Sequence, residues 1–128
     1  MKVLDTTFLI DLLRGKKETL PIINSKEHLL TTQINMYEVI RGLFLKNISS
    51  SRFRDVIETF EDIKVLSLDN RSIIKSAEIS SELIKKGNMI SDCDCLTAGI
   101  ALSNGVNKIV TKNVKHFDRI KDIKAETY

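Results

Sequence analysis

Short apolar runs alternate with longer stretches of helical periodicity along nearly the whole chain. Residues 2–4, 29–31, 63–68 and 108–111 read as strands, being apolar or β-branched and bounded by polar or turn-forming residues. Between them lie apolar stripes spaced three and four apart. Phe8, Leu9, Leu12 and Leu13 predict a helix capped by Thr6 or Thr7 and ended at Gly15. A shorter helix over 17–24 tolerates Pro21 only near its first turn. Met36, Tyr37, Ile40, Leu43 and Phe44 predict a helix over 34–46. After the break at Ser49, Ser50 and Ser51, Phe53, Val56, Ile57 and Phe60 predict another over 52–61. Asp69 is placed to cap a long helix over 71–86 that Gly87 ends, and residues 92–102 form a helix stopped by Asn104 and Gly105. A helical turn around 117–120 leads to an edge segment at 123–127. Strands alternating with helices predict an α/β fold: a three-layer α/β/α sandwich around a central, mostly parallel sheet.

Composition narrows this without changing it. The 128 residues suit one domain spanning 1–128, with 42% hydrophobic and 29% charged residues, ordinary for a globular protein. The longest uncharged stretch, 95–106, is too short to cross a bilayer. No apolar leader region fits before Asp5, so the expected location is the cytoplasm. Cys93 and Cys95 have no second pair and no nearby histidine, which argues against structural zinc and for reduced packing thiols. The net charge of +3 is matched by the tail from Lys108 onward, where six bases face three acids. Such a basic end suits a polyanion, although a solvated mixed surface has the same composition.

The candidate chemistry lies in carboxylates near predicted strand ends. Asp5 ends the first strand, Glu38 falls in the first turn or so of the helix over 34–46, and Asp94 opens the helix over 92–102. In parallel α/β sheets the carboxyl ends of strands border a ligand crevice. Acids that meet there repel, and a divalent cation is the usual reason for holding them together. Each also has a purely structural reading. Asp5 suits a helix cap, Glu38 a partner for Arg41 three residues on, and Ser91-x-x-Asp94 a capping box. Asp92 beside Asp94 brings more negative charge than capping requires. Asn113, after the strand over 108–111, is a turn former or a weak metal ligand. Convergence of these groups would fit metal-assisted phosphodiester hydrolysis with Mg²⁺ or Mn²⁺. No Ser-His-Asp or Cys-His arrangement and no Gly-rich phosphate loop competes.

Four segments together resemble the PIN-domain family, and within it the VapC-type toxins of toxin–antitoxin pairs. They are Val3-Leu4-Asp5-Thr6-Thr7-Phe8-Leu9-Ile10-Asp11, the run from Thr31 through Glu38 to Gly42, Asp94-Cys95-Leu96-Thr97-Ala98-Gly99-Ile100-Ala101, and the run from Val110 through Asn113 to Phe117. The resemblance implies a metal-dependent endoribonuclease, commonly homodimeric, that leaves a 3′-hydroxyl and a 5′-phosphate and is inhibited by a cognate VapB-type antitoxin. It implies that Asp5 and Asp94 are the central metal ligands and that Glu38 completes the acidic set. Thr6 and Thr111 match supporting hydroxyl positions. Asn113 departs from the aspartate often found at the fourth acidic position, and Asp92 is a candidate to supply that charge. Arg41, Lys112 and Lys115 are candidates for RNA contacts. Tyr37, Phe44, Phe53 and Phe60 belong either to the core or to a surface for a second copy or an antitoxin helix.

Two other readings stand beside this one. A PIN domain acting in RNA processing without being a toxin would carry the same motifs. A receiver-like signalling module shares the small parallel α/β layout, but it would need adjacent acids after the first strand, where Thr6 and Thr7 stand. A dehalogenase-like phosphatase would need a second aspartate at position 7, which is Thr7.

Overall fold

In the computed structural model, which describes residues 1–128, the strands are β1 (Lys2–Leu4), β2 (Leu29–Thr32), β3 (Lys64–Leu66), β4 (Lys108–Val110) and β5 (Lys124–Glu126). They form one sheet in the order β3-β2-β1-β4-β5, every pair parallel. Val3 registers with Leu30 on one side and with Ile109 on the other, so β1 is the central strand. From β1 the chain adds β2 and then β3 in one direction, then crosses back to place β4 on β1's opposite edge. The β1/β4 boundary is therefore the topological switch point, where open α/β sheets form their ligand crevice.

The helices are α1 (Thr6–Leu13), α2 (Leu20–Ile23, entered through a 3-10 turn), α3 (Gln33–Leu45), α4 (Ser50–Glu61), α5 (Asn70–Lys85), α6 (Asp92–Ser103) and α7 (Val114–Phe117). Successive strand residues face opposite sides, and the two cores divide accordingly. Val3, Leu30 and Ile109 join Ile79, Leu83, Ile100 and Phe117 under α5, α6 and α7. Leu4 and Val110 join Phe8, Leu9, Val39, Val56 and Phe60 under α1, α3 and α4. Both faces of the sheet are covered, which is why the strands read as apolar runs.

The elements match the predicted ones closely, with corrections at their ends. Asp5, not Thr6 or Thr7, caps α1, its side chain accepting the Phe8 amide. The last helical turn lies at Val114–Phe117 rather than around 117–120, because Asn113 starts it directly after β4. Asp69 caps α5 in a reciprocal box with Ser72, and Gly87 leaves that helix at φ +70°. Ser91 caps α6 by accepting the Asp94 amide, with no return bond from the Asp94 carboxylate. Of the four aromatics, Phe60 is core and Phe53 half-buried, whereas Tyr37 and Phe44 are exposed. Both cysteines are free, Cys93 half-buried and Cys95 buried. No helix is long and apolar enough to cross a membrane.

The uncharged stretch 95–106 owes its composition to α6, where Cys95 and every residue from Thr97 to Ala101 are buried. At Gly99 this helix meets α5 so closely that a Cβ would stand 2.8 Å from the Ser76 backbone nitrogen. Gly99→Ala therefore forces the two helices apart. Urea denaturation should show a loss of about 1–3 kcal/mol, the usual cost of overpacking a core.

Candidate functional site

Asp5 occupies the first position beyond the central strand and is 3% exposed. Its backbone N–H donates to the Val110 carbonyl (3.2 Å), extending the β1/β4 ladder to the edge of the crevice. Its carboxylate accepts three hydrogen bonds. Oδ1 takes the Phe8 amide (3.0 Å) and the Thr7 hydroxyl (2.6 Å), and Oδ2 takes the Thr111 hydroxyl (2.5 Å) across from the end of β4. Burial nevertheless raises the pKa above the ordinary aspartate value. The three donors pull it down, and the negative charge of Asp94 adds to the rise. A cation beside Asp5 would offset both the burial and that repulsion.

Glu38 lies in the second turn of α3 rather than its first, because the helix begins at Gln33 immediately after β2. It is half-buried and accepts the Thr6 hydroxyl at 2.7 Å. Thr6 in turn accepts the side-chain amide of Asn35 (3.1 Å), and the Asn35 carbonyl oxygen accepts the Thr32 hydroxyl (2.7 Å). Asn35 is 2% exposed and locks this row of polar groups between β2, α1 and α3. Nothing along the chain singles out Asn35, because its role depends on Thr6, which comes from another element.

Asp94, in the first turn of α6, has its Oδ2 3.3 Å from His116 Nδ1. The histidine lies on α7 and is another residue the sequence did not single out. Asp92 points elsewhere. It lines a surface hollow with Ser76, Ser80 and Cys95 between α5 and α6. Two residues apart on a helix, Asp92 and Asp94 lie nearly on opposite faces. Asn113 donates its backbone N–H to the Thr111 hydroxyl (2.8 Å), and its side chain makes no hydrogen bond.

Part of the expected set is thus linked near the switch point. Thr7 and Thr111 bond Asp5, Asn113 bonds Thr111, the charge of Asp94 reaches Asp5, and Thr6 bonds Glu38, whereas Asp92 stands apart. No three His, Cys, Asp or Glu side chains are clustered tightly enough to enclose an ion as they stand.

A second knot anchors the base of α1. Asp11, 7% exposed, accepts the Tyr128 hydroxyl (2.7 Å) and pairs with Lys16 at 3.2 Å and Lys112 at 3.8 Å. The Tyr128 hydroxyl, foremost among these, holds the Asp11 carboxyl below its usual range. Burial and the bound carboxylate push the Tyr128 phenol well above its usual value. The tyrosine ring meets Phe8 edge-on at 4.8 Å, with Lys112 Nζ 4.9 Å from its centre. The Lys112 amide also donates to Thr7 (3.0 Å), tying the loop after β4 to α1. Of the candidate RNA contacts, Lys112 is therefore engaged within the fold. Arg41 lies over the Tyr37 ring at 5.2 Å, and Lys115 is exposed.

The PIN-domain family profile matches residues 2–123. The chain belongs to the PIN-domain family. It is 31% identical to the tRNA(fMet)-specific endonuclease VapC of Salmonella typhimurium, covering 98% of this chain and 96% of that protein. Ribonuclease VapC1 of Methanocaldococcus jannaschii is 28% identical over 98% of this chain and 85% of its own length. Among solved structures, the DNA-bound VapBC of Salmonella typhimurium aligns with a TM-score of 0.83 at 30% identity, covering 98% of this chain and 96% of that one. VapBC2 of Rickettsia felis, bound to a fragment of its promoter, aligns with a TM-score of 0.84 at 20% identity over 99% and 98% of the two chains. In this PIN domain Thr111 bonds Asp5 at the β1/β4 junction, Thr6 bonds Glu38 on α3, and the charge of Asp94 acts on Asp5.

The raised pKa of Asp5 has a measurable consequence. Without metal at neutral pH, the wild type bears the burial cost of an ionised Asp5, and Asp5→Asn does not. Thr111 can turn its hydroxyl to accept from the new amide. In EDTA, Asp5→Asn should melt at a higher temperature than the wild type. The difference should shrink as pH falls and Asp5 takes up its proton. Calorimetric melts across that range check both points.

Proposed function

We propose that this PIN domain is a Mg²⁺- or Mn²⁺-dependent endoribonuclease, the toxin of a toxin–antitoxin pair acting in the cytoplasm. The observation carrying the reading is the buried Asp5 carboxylate at the switch point, held by Thr7 and Thr111 and repelled by Asp94. The near full-length likeness to the Salmonella tRNA(fMet)-specific endonuclease supports RNA as the substrate class.

Asp5 and Asp94 would hold the metal, with Glu38 on the α3 side of the crevice. When bound, the ion supplies charge neutralisation at the scissile phosphate and an activated water. The protein's own part is orientation. Thr7, Thr111 and the Phe8 amide hold both Asp5 oxygens, Asn35 and Thr6 hold Glu38, and His116 steadies Asp94. Such outer partners fix ligand geometry. With Asn113 in place of an acid, the site carries one negative charge fewer, which favours one tightly bound ion over two. Arg41 and Lys115 remain available to flanking phosphates.

The partners that fit are an RNA substrate, a VapB-type antitoxin and a second copy of this chain. The exposed face of α3, with Tyr37, Phe44 and Leu45, offers apolar surface for one of the two protein partners. The non-toxin reading is distinguished by the neighbouring gene, since a short antitoxin frame beside this one supports the toxin. The receiver reading lacks a phosphoacceptor, because β3 ends at Leu66 and Asp69 is spent as a helix cap.

Asp94→Asn should lower Mg²⁺- or Mn²⁺-dependent RNA cleavage by about 100-fold or more. Cleavage at the wild-type rate by a nuclease-free preparation of that variant would sink the assignment. Asn113→Asp restores an acid at the fourth position and should tighten Mn²⁺ binding severalfold in titration calorimetry. Unchanged or weaker binding would place Asn113 outside the metal's reach.

A further inference from the structure

Beside Glu38, between α1, α3 and α4, lies a cleft of about 160 Å³ that the metal chemistry does not use. Its floor is aliphatic, formed by side chains such as Leu13, Leu43 and Val56, and its rim carries Arg14, Lys46 and Arg52. None of these three cations forms an ion pair, so Glu38 is the one acid against them. Arg52 donates a hydrogen bond to the Leu13 carbonyl. Arg14 and Lys46 follow the C-terminal ends of α1 and α3, where positive charge also suits the helix dipole. Gly42 lines the same cleft from the last turn of α3, and a Cβ added there would meet nothing within 4 Å. A glycine within a helix costs up to about 1 kcal/mol relative to alanine, and the space it leaves here is part of the cleft. Gly42 is four residues past Glu38, about 6 Å along the axis, so cleft and acid share a face.

We infer that this cleft is a base pocket. It receives one unstacked nucleobase of single-stranded RNA next to the scissile phosphate, with Arg14 and Lys46 on the adjoining backbone phosphates. A dry cavity of about 150 Å³ is known to admit a benzene ring, so the volume suits one planar ring rather than a longer segment. An apolar floor accepts the face of any base, and the unpaired cations favour a polyanion over a peptide. The pocket rests on the ribonuclease reading for its ligand. It would make this face of α3 a determinant of which nucleotide sits beside the cut.

The test is fluorescence anisotropy of the full chain in EDTA, where nothing is cleaved. The probes are a short labelled random-sequence RNA and the same backbone without bases. Gly42→Leu fills the pocket while favouring the helix, so its melting temperature should equal or exceed the wild type's. It should bind the RNA at least severalfold more weakly, with the same salt dependence, and bind the abasic strand as the wild type does. Arg14→Ala/Lys46→Ala should weaken both probes alike and lower the salt slope by about 1.4, the value for two lost single-strand phosphate contacts. Wild-type RNA affinity in both Gly42→Leu and the milder Gly42→Ala would overturn the pocket. So would a Gly42→Leu protein that binds RNA normally but escapes its antitoxin, since the cleft would then belong to a peptide. Failure of the ribonuclease reading shows separately, as cleavage that survives Asp94→Asn.

Discussion

A carboxylate removed from water at the end of the central strand is the constraint on which the rest of this molecule depends. Such a group has to be hydrogen-bonded on all sides to remain folded, and each bond Asp5 accepts fixes a different element. The Phe8 amide starts α1, Thr7 carries the contact on to the Lys112 amide, and Thr111 draws in the end of β4. The group that closes the fold is thus the one whose charge the fold disfavours. A residue kept for stability alone would be better satisfied as a neutral amide or hydroxyl. Retaining an acid there is a cost in the folded state that a bound cation would offset.

Capping and chemistry are not competing explanations here. One carboxylate can serve both, since in Asp5 Oδ1 closes the helix while Oδ2 faces Thr111. At α6 the two tasks are divided between residues. Ser91 takes the capping bond, leaving the Asp94 carboxylate free to face His116 and the crevice. Asp92 has no share in either task, since helical rotation turns it toward α5. Glu38 reaches its place along another route, through a buried row of Thr32, Asn35 and Thr6 that joins strand to helix.

Much of this was legible along the chain. Short apolar runs and helical spacing located every strand and nearly every helix. The same patterns put Asp5, Glu38 and Asp94 near strand ends or helix starts, because parallel strands buried on both faces must be apolar and must end in polar residues. Ends stayed open where they are decided by competition for single hydrogen bonds, as at the cap of α1, which Asp5, Thr6 and Thr7 all suit along the chain. What could not be read were the partners. Asn35, His116 and the Asp11–Tyr128 pair are ordinary polar residues until folding brings a group from a distant element against them.

By itself, then, the sequence determined the α/β class, the order of the elements and the placing of Asp5, Glu38 and Asp94 near strand ends or helix starts, since periodicity and capping are local. Only the tertiary structure decided that β4 returns to the far side of β1, which makes the Asp5–Thr111 junction a crevice. It also separated Asp92 from Asp94 and engaged Lys112 with Asp11 and Tyr128. It left Gly42 facing open space beside Glu38. Those outcomes depend on which surfaces meet across tens of residues, and spacing along a chain carries no record of that.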